Sequence, residues 1–369
     1  MKKPEKAPPP ARVRSLQRVL LRWFALEKRD LPWRRSRDPY SVWISEAMLQ
    51  QTRVETVIPY YRRFLARFPT VEALASATEE DVLGAWSGLG YYRRARSLQN
   101  AARAVVDRHA GRFPSTRDTL LELPGIGPYT AGAIASIAFD RPEALVDGNV
   151  VRVLSRLFAL DIDPSTSKGR EEYWSRARVL VPPKRAGDWN QALMELGALV
   201  CTPREPRCPA CPLASVCEAR LRGRVEELPR KKRRPSTLHV ELVVLAVTDG
   251  ERWLLEKRSR AGRMAGMWQM PTMEVPSKGS SEGLLFPTRK PPSLGLGKTL
   301  CEVRHTITRH RIRAIVKRAT LRSARPEPTF AWVSRDRLEE MALTGMTRKC
   351  LSAILAARST PSNPNRSRS

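Results

Sequence analysis

The spacing of apolar residues changes period once along this chain, and that change divides what the chain can fold into. From Val13 onward, apolar residues fall at helical spacing: Val13, Leu16, Leu20, Trp23 and Phe24. The same period returns around 42–52, 54–67, 71–75, 79–86, 93–108, 116–122, 130–138, 148–160, 170–180 and 189–200, with Gly and Pro turns between. Strand patterns are nearly absent before residue 220. An all-α domain over 12–222 is therefore expected. Beyond it the period shortens. His239–Val247 is an apolar, β-branched run, Thr248-Asp249-Gly250 a turn, and Arg252–Leu255 a return, which reads as a hairpin. Arg311–Lys317 alternates basic and apolar residues, as a half-buried strand does. Trp332-Val333 and a helix-like 335–357 complete a small α+β domain over 238–357. The class is multidomain, α followed by α+β. Residues 1–11 and 358–369 read as disordered, 276–297 as a flexible insertion, and 223–237 as a basic, solvated linker.

Charge narrows the partners. Across 369 residues the formal net charge is +29. A polyanion is the natural partner of so basic a protein, because counterion release drives binding to nucleic acid. The competing explanation is an Arg-rich proteome, since much of the excess is Arg. No apolar run approaches the roughly 20 residues of a membrane span. The basic start MKKPEKAPPPAR lacks a following signal-peptide core. Six cysteines in so long a chain do not make a disulfide scaffold. An intracellular protein without membrane attachment is expected.

The stretch LPGIGPYTAGAIASIAFDRPEALVD, Leu123 to Asp147, concentrates the chemistry. A turn on Gly125 and Gly127 opens a helix, and Asp147 follows about 20 residues later. Glycines let backbone amides approach a phosphate, and a helix start presents unpaired N–H groups and a positive dipole end. Pro128 suits the first helical turn. The plain alternative is an ordinary loop–helix junction, with Asp147 a helix N-cap.

Cys201, Cys208, Cys211 and Cys217 stand at C-x6-C-x2-C-x5-C. Four thiolates so spaced suit zinc or a 4Fe–4S cluster, and spacing alone leaves both open. Cys301 and Cys350 read as isolated, buried, inert thiols.

Taken together, the Gly-turn helix, the later acid and the cysteine spacing resemble the endonuclease III superfamily of helix-hairpin-helix DNA glycosylases. SEAMLQQTRVETVIPYYRRF (45–64), WSGLGYYRRARSL (86–98), LVDGNVVRVLSR (145–156) and NQALMELGALVCT (190–202) narrow the resemblance to the MutY-type adenine DNA glycosylases. The resemblance implies an all-α helix-hairpin-helix domain with its four cysteines on a 4Fe–4S cluster. It implies a partner, double-stranded DNA carrying adenine opposite 8-oxoguanine or guanine. Glu46 would be the proton donor to adenine, Asp147 the anion beside the sugar, and Asn149 a hydrogen-bonding support. Breaking an N-glycosidic bond needs both an acid and an anion. Read from the residues alone, Glu46 is a carboxylate near a helix start, favoured there by the dipole.

Tyr129 stands where the strand-cutting members of the superfamily carry a lysine. A phenol cannot form a Schiff base with the opened sugar, and Lys168 and Lys184 lie far off in the pattern, so base removal without strand cleavage is expected. Gln51 and Tyr91 match residues that fill the space of a flipped base. Their plain alternatives are a helix-surface amide and a core aromatic. Arg93, Arg94 and Arg96 read as phosphate contacts or a solvated basic face.

The region 238–357 resembles the C-terminal domain of the same glycosylases, related in fold to nudix hydrolases. It lacks a Glu-rich metal box and is expected to bind rather than hydrolyse. The resemblance places lesion contacts after His305-Thr306, where this chain has Ile307-Thr308-Arg309 in place of Phe-Ser-His. Thr308 and Arg309 are the candidates. A monomer is expected, in the cytoplasm of a bacterium and held at the nucleoid by its DNA. The rival readings are an endonuclease III-like glycosylase/lyase, a non-catalytic helix-hairpin-helix DNA-binding protein and a nudix hydrolase. Purified protein should be brown, with visible absorption, if the cysteines carry iron and sulfur, and colourless if they carry zinc.

Overall fold

The computed structural model describes residues 8–230, 236–259, 264–275, 294–321 and 329–359. Thirteen α-helices and seven strands are assigned among them. The helices are α1 (Pro10–Glu27), α2 (Pro39–Leu49), α3 (Val54–Arg67), α4 (Val71–Ser76), α5 (Glu79–Trp86), α6 (Arg93–His109), α7 (Arg117–Leu121), α8 (Pro128–Ile137), α9 (Gly148–Leu157), α10 (Ser167–Leu180), α11 (Ala186–Leu199), α12 (Glu218–Leu221) and α13 (Gly345–Ser359). The strands are β1 (Leu238–Val247), β2 (Arg252–Lys257), β3 (Trp268–Gln269), β4 (Thr272–Val275), β5 (Leu294–Ile307), β6 (His310–Leu321) and β7 (Phe330–Ser334). They form two compact units, Met1–Ser76 with Arg96–Arg233, and Ala77–Ala95 with Arg234–Ser369. No described helix is long and apolar enough to cross a membrane.

In the helical unit, α1 buries the stripe Val13, Leu16, Leu20 and Phe24. Each such side chain contributes roughly 1.5–3 kcal/mol. Helix α2 has almost no polar face: Tyr40 and the whole run from Val42 to Met48 are buried, Glu46 among them. Its start is fixed by Pro39 at the first helical position and by Asp38, whose carboxylate accepts the Ser41 N–H at 2.8 Å. Helix α8 packs on α2, α7 and α11, and α11 also packs on α1 and α9. The linkage between α7 and α8 is a tight turn in which the Ile126 N–H donates to the Leu123 carbonyl at 3.1 Å. Pro124 occupies its second position and Gly125, with φ +76°, its third, the arrangement of a type II turn. Gly127 then caps α8 and Pro128 enters it.

In the second unit, a four-stranded sheet has the order β4-β1-β6-β5 and a three-stranded sheet the order β3-β2-β7. β1 runs parallel to β6, with Val243 opposite Ile315, and antiparallel to β4. The pleat of β1 splits its apolar side chains between two cores. Leu242, Val244 and Ala246 join one with Leu351 and Ile354 of α13, and Leu245 and Val247 join another with Phe330.

Several expectations need correction. β1 and β2 are joined by the expected turn, closed by a single antiparallel bridge between Thr248 and Trp253, but the strands do not pair beyond it. Both edges of β1 are taken by β4 and β6, so β2 pairs with β3 and β7 instead. The helix-like 335–357 is a single 3-10 turn at Asp336–Leu338 followed, after a break, by α13. The N-terminal helix already begins at Pro10, inside the segment read as disordered, because proline is tolerated at a helix start. Leu294–Gly297 of the expected insertion lie in β5, and 276–293 are outside the described residues. The tail expected from 358 lies outside them from residue 360, after α13 ends. The front of the expected solvated linker is packed: Leu228 is buried with Ala159 and Ala219, and Arg224 and Arg230 pair with Asp161. Cys301 and Cys350 are not isolated from one another, since both belong to the core under α13. Burial pushes the Cys350 thiol up to about 12.

Gly125→Ala should lose more than about 1 kcal/mol in denaturant unfolding, because alanine resists the left-handed backbone and its Cβ would lie 2.5 Å from that of Ser97. Gly127→Ser should be neutral or slightly stabilising, since the position has ordinary φ, open space and an N-cap role.

Candidate active site

Glu46 lies in the last turn of α2 rather than at its start, so the helix dipole is not what holds it there. Its relative exposure is 4%. Burial pushes its carboxyl up to about 7, against the Tyr129 hydroxyl, which donates a short hydrogen bond to Oε2, and the charge of Asp147 adds to the rise. Tyr129 enters from the first turn of α8, and its hydroxyl also reaches the Met194 sulfur at 3.5 Å. Burial and the neighbouring Glu46 hold the phenol well above its ordinary range, so it stays a donor.

Asp147 is both things the sequence offered. It caps α9, accepting the Val150 N–H at 2.7 Å, and it lines the same cavity as Glu46. The Asn149 side-chain amide donates to its Oδ2 at 2.8 Å. Burial raises Asp147, while these donors and the Arg152 charge oppose the rise. Asp147 therefore has several donors that favour its anion, while Glu46 has one hydrogen-bonding phenol and a smaller contribution from the Arg34 charge. Their surroundings push the two acids toward different jobs.

The cavity has a volume of ≈ 180 Å³ and is lined by Glu46, Tyr129, Asp147 and Asn149 together with Trp33 and Met194, among others. No lysine is among its lining residues; Lys168 and Lys184 are exposed elsewhere. One wall is an ion cluster that sequence reasoning missed. Glu195, 1% exposed, receives Arg29 at 2.8 Å and Arg34 at 2.9 Å. Burial alone would raise this carboxyl, but the two guanidinium groups overcome it and hold it at about 2. The available signal was Glu195, four residues after Gln191 and the one charged residue in the otherwise apolar run Ala192–Leu199.

Arg152 was also missed. It donates to the Asn149 Oδ1 at 2.7 Å, the Gly197 carbonyl at 2.8 Å and the Cys201 carbonyl at 2.7 Å. Gly197 permits this join, because a Cβ there would lie 2.6 Å from the Asn149 Cβ.

All four cysteines of the C-x6-C-x2-C-x5-C run are free thiols. Burial pushes Cys211 up to about 11, and the nearby Cys201, Cys217 and Cys208 add to it. The buried Arg156 donates to the Cys201 sulfur at 3.3 Å, a cation suited to thiolate. Among the described residues no group of three or more His, Cys, Asp or Glu could hold a metal ion as placed. A cubane takes its thiolates on separate irons, farther apart than the ligands of one zinc. Four free thiols near one another, with a guanidinium on one sulfur, suit as a donor set either zinc or a 4Fe–4S cluster.

The remaining candidates are surface features. Gln51 lies past the end of α2, exposed, with φ +60°, and is not a helix-surface amide. Tyr91 is 48% exposed with φ +49°, and is not a core aromatic. Arg94 does not belong to a solvated face: it folds onto the carbonyls of Leu89 and Gly90 and over the Trp86 ring. Thr308 and Arg309 form the two-residue turn between β5 and β6, with Ile307 paired to His310, Thr308 exposed and φ +49°.

Residues 44–178 match the HhH-GPD superfamily of base excision DNA repair proteins, and residues 242–353 match the NUDIX domain. An adenine DNA glycosylase of Schizosaccharomyces pombe is 36% identical over 325 residues, covering 71% of this chain and 70% of that protein. The chain belongs to the adenine DNA glycosylase family. The human adenine DNA glycosylase is 52% identical over 227 residues, 59% of this chain and 42% of its own length. The rat one is 42% identical over 324 residues, 74% of this chain and 63% of its own length. The chain thus spans less than two thirds of these two relatives. A solved thermostable thymine-DNA glycosylase superposes with a TM-score of 0.53 at 30% identity, covering 57% of this chain and 98% of that one.

Glu46 titrates higher in the folded protein than its ordinary 4.5, so the native state holds the proton longer and stability falls as pH rises from there toward about 7. Glu46→Gln should therefore raise the thermal midpoint at pH 8, by at most about 3 kcal/mol in stability, and leave it nearly unchanged at pH 4. Parallel melts across that range read the difference.

Proposed function

We propose that this family member is a base-excision repair glycosylase that removes adenine paired with 8-oxoguanine or guanine in double-stranded DNA and leaves the backbone uncut. The observation that carries the reading is the buried Glu46, which accepts the Tyr129 hydroxyl beside the capped carboxylate of Asp147 in one cavity.

The target adenine is turned out of the stack into the cavity. Glu46 donates its proton to N7 as the bond between N9 and C1′ breaks. The bonding electrons go to the base, which leaves neutral. The sugar becomes oxocarbenium-like, and the Asp147 carboxylate, oriented by Val150 and Asn149, stabilises that charge. Water then adds to C1′ and gives its proton to the Glu46 carboxylate, restoring the acid. Tyr129 orients Glu46 throughout. With a phenol at this position and no lysine lining the cavity, no Schiff base forms and the product is an abasic site.

Outside the cavity, the Gly125–Gly127 turn and the start of α8 offer backbone to a phosphate, and Gln51 and Tyr91 fill space left by the flipped base. The Thr308-Arg309 turn contacts the opposite base. Cys201, Cys208, Cys211 and Cys217 would hold a 4Fe–4S cluster, which when bound stiffens the cysteine loop and takes no part in base release. Arg152 joins the Cys201 backbone to Asn149 and so passes that stiffness toward the site.

Single-turnover release of adenine from an A:8-oxoguanine duplex tests the reading. Glu46→Gln should lose at least about 10³-fold. The wild-type rate should fall about tenfold per pH unit above roughly 7, as Glu46 loses its proton. Tyr129→Phe removes a bond that favours the anion, so its basic limb should move to higher pH. Unchanged release by Glu46→Gln, or strand nicking with a borohydride-trapped lysine adduct, would overturn the assignment.

A further inference from the structure

We infer that Ser87 and Tyr92, through the Leu343 carbonyl, are positioning residues for Tyr91, so that the sheet-bearing unit sets where the Tyr91 ring stands. The inference rests on the reading of Tyr91 as a residue that fills space in the base stack.

Although α5 and the loop after it come from the middle of the helical sequence, residues Ala77–Ala95 belong to the second unit. The loop is tied at both ends to one atom. The Ser87 hydroxyl donates to the Leu343 carbonyl at 3.0 Å, and the Tyr92 hydroxyl reaches the same oxygen at 3.5 Å. Each hydroxyl is itself held: Ser87 accepts Arg348 Nε at 2.9 Å, and Tyr92 accepts the Gly88 N–H at 3.2 Å. Between the two ties the loop is filled from within. Trp86 Nε1 donates to the Gly90 carbonyl at 3.1 Å, and the Arg94 guanidinium lies 5.2 Å from the Trp86 ring centroid and 5.5 Å from that of Tyr91.

The Leu343 carbonyl is a rigid anchor. Its neighbours pair with β3, the Thr344 N–H donating to the Trp268 carbonyl and the Trp268 N–H to the Ala342 carbonyl, each at 2.9 Å. Thr344 then caps α13, accepting the Thr347 N–H at 3.3 Å, and Thr347 accepts the Met270 N–H at 3.1 Å. The far end of α5 is fixed by Glu80, which accepts Trp268 Nε1 at 3.1 Å and pairs with Lys257 at 3.3 Å.

Against this bracing Tyr91 is out of place in two ways. It is a large ring left 48% exposed, and a non-glycine residue with φ +49°. A left-handed backbone at such a residue persists only where its surroundings over-determine it, and the two ties to Leu343 do so. The same short segment meets the β5–β6 hairpin: a Cβ on Gly345, at the start of α13, would lie 3.6 Å from the His305 ring. One stretch, 342–345, therefore braces both the Tyr91 loop and the strand that ends in the Thr308-Arg309 turn.

The test is the fluorescence of 2-aminopurine placed beside 8-oxoguanine in an A:8-oxoguanine duplex, which reports disturbance of the stack on binding and needs no turnover. Ser87→Ala/Tyr92→Phe should weaken the binding equilibrium that gives the change by about tenfold. Added to Tyr91→Ala it should cost no more than about twofold further, because the three act through one ring. Multiplicative losses, or a full response in the double variant, would overturn the bracing and leave the proposed function standing. A full response in Tyr91→Ala would sink the stack reading and the inference with it. The expected pattern without any adenine release would support the bracing and sink the proposed chemistry instead. If the double variant melts early, Tyr92→Phe alone carries the comparison, with an expected effect of about threefold.

Discussion

A carboxyl group in a helix with almost no polar face is the constraint around which the helical unit is arranged. Helix α2 is buried at Tyr40 and from Val42 to Met48, so Glu46, little exposed, takes its hydrogen-bond partner from another helix. Tyr129 supplies it, and that bond ties α2 to the first turn of α8. The start of α8 is in turn fixed by the Pro124-Gly125 turn and the Gly127–Pro128 entry. Burial raises Glu46 to about 7, and one neutral donor is too little to bring it back down. In the same wall Glu195 is as deeply buried, yet two guanidinium groups keep it an anion. Partners, not burial, decide which of two interior glutamates can give a proton.

Asp147 shows structure and chemistry resting on one side chain. It satisfies an orphan N–H of α9 and by that bond is aimed into the cavity. Asn149 and Arg152, from the next turn of the same helix, extend the arrangement to the backbone of Cys201. A thiol-bearing loop without any place in the cavity is thereby connected to the acid that has one.

Most of the fold was legible, because short amphipathic helices announce themselves by period and the expected segments lie close to the observed ones. The strand pairing of β1 was not. A turn between two apolar runs looks like a hairpin unless one knows that β6, some 70 residues later, competes for the same edge. In the site, Glu46, Tyr129, Asp147 and Asn149 carry motifs and were named from them. Arg29, Arg34 and Arg152 were not, since single arginines in an Arg-rich chain give no local signal and act only by whom they meet in three dimensions. Gln51 and Tyr91 had bland alternatives that only their exposure and left-handed backbones remove.

The second unit is discontinuous in sequence, and that bears on the order in which the protein can be made. Ser87 and Tyr92 leave the ribosome some 250 residues before the carbonyl that holds them. Through most of synthesis the Tyr91 loop has no anchor, whereas the partners of Glu46 and Asp147 are all present once α11 has emerged. Chains generally fold from the N-terminal side as they appear, so the acid pair can assemble early and the loop last. A nascent or truncated chain lacking α13 would be one in which the acid pair is assembled while the Tyr91 loop still lacks its tie to Leu343.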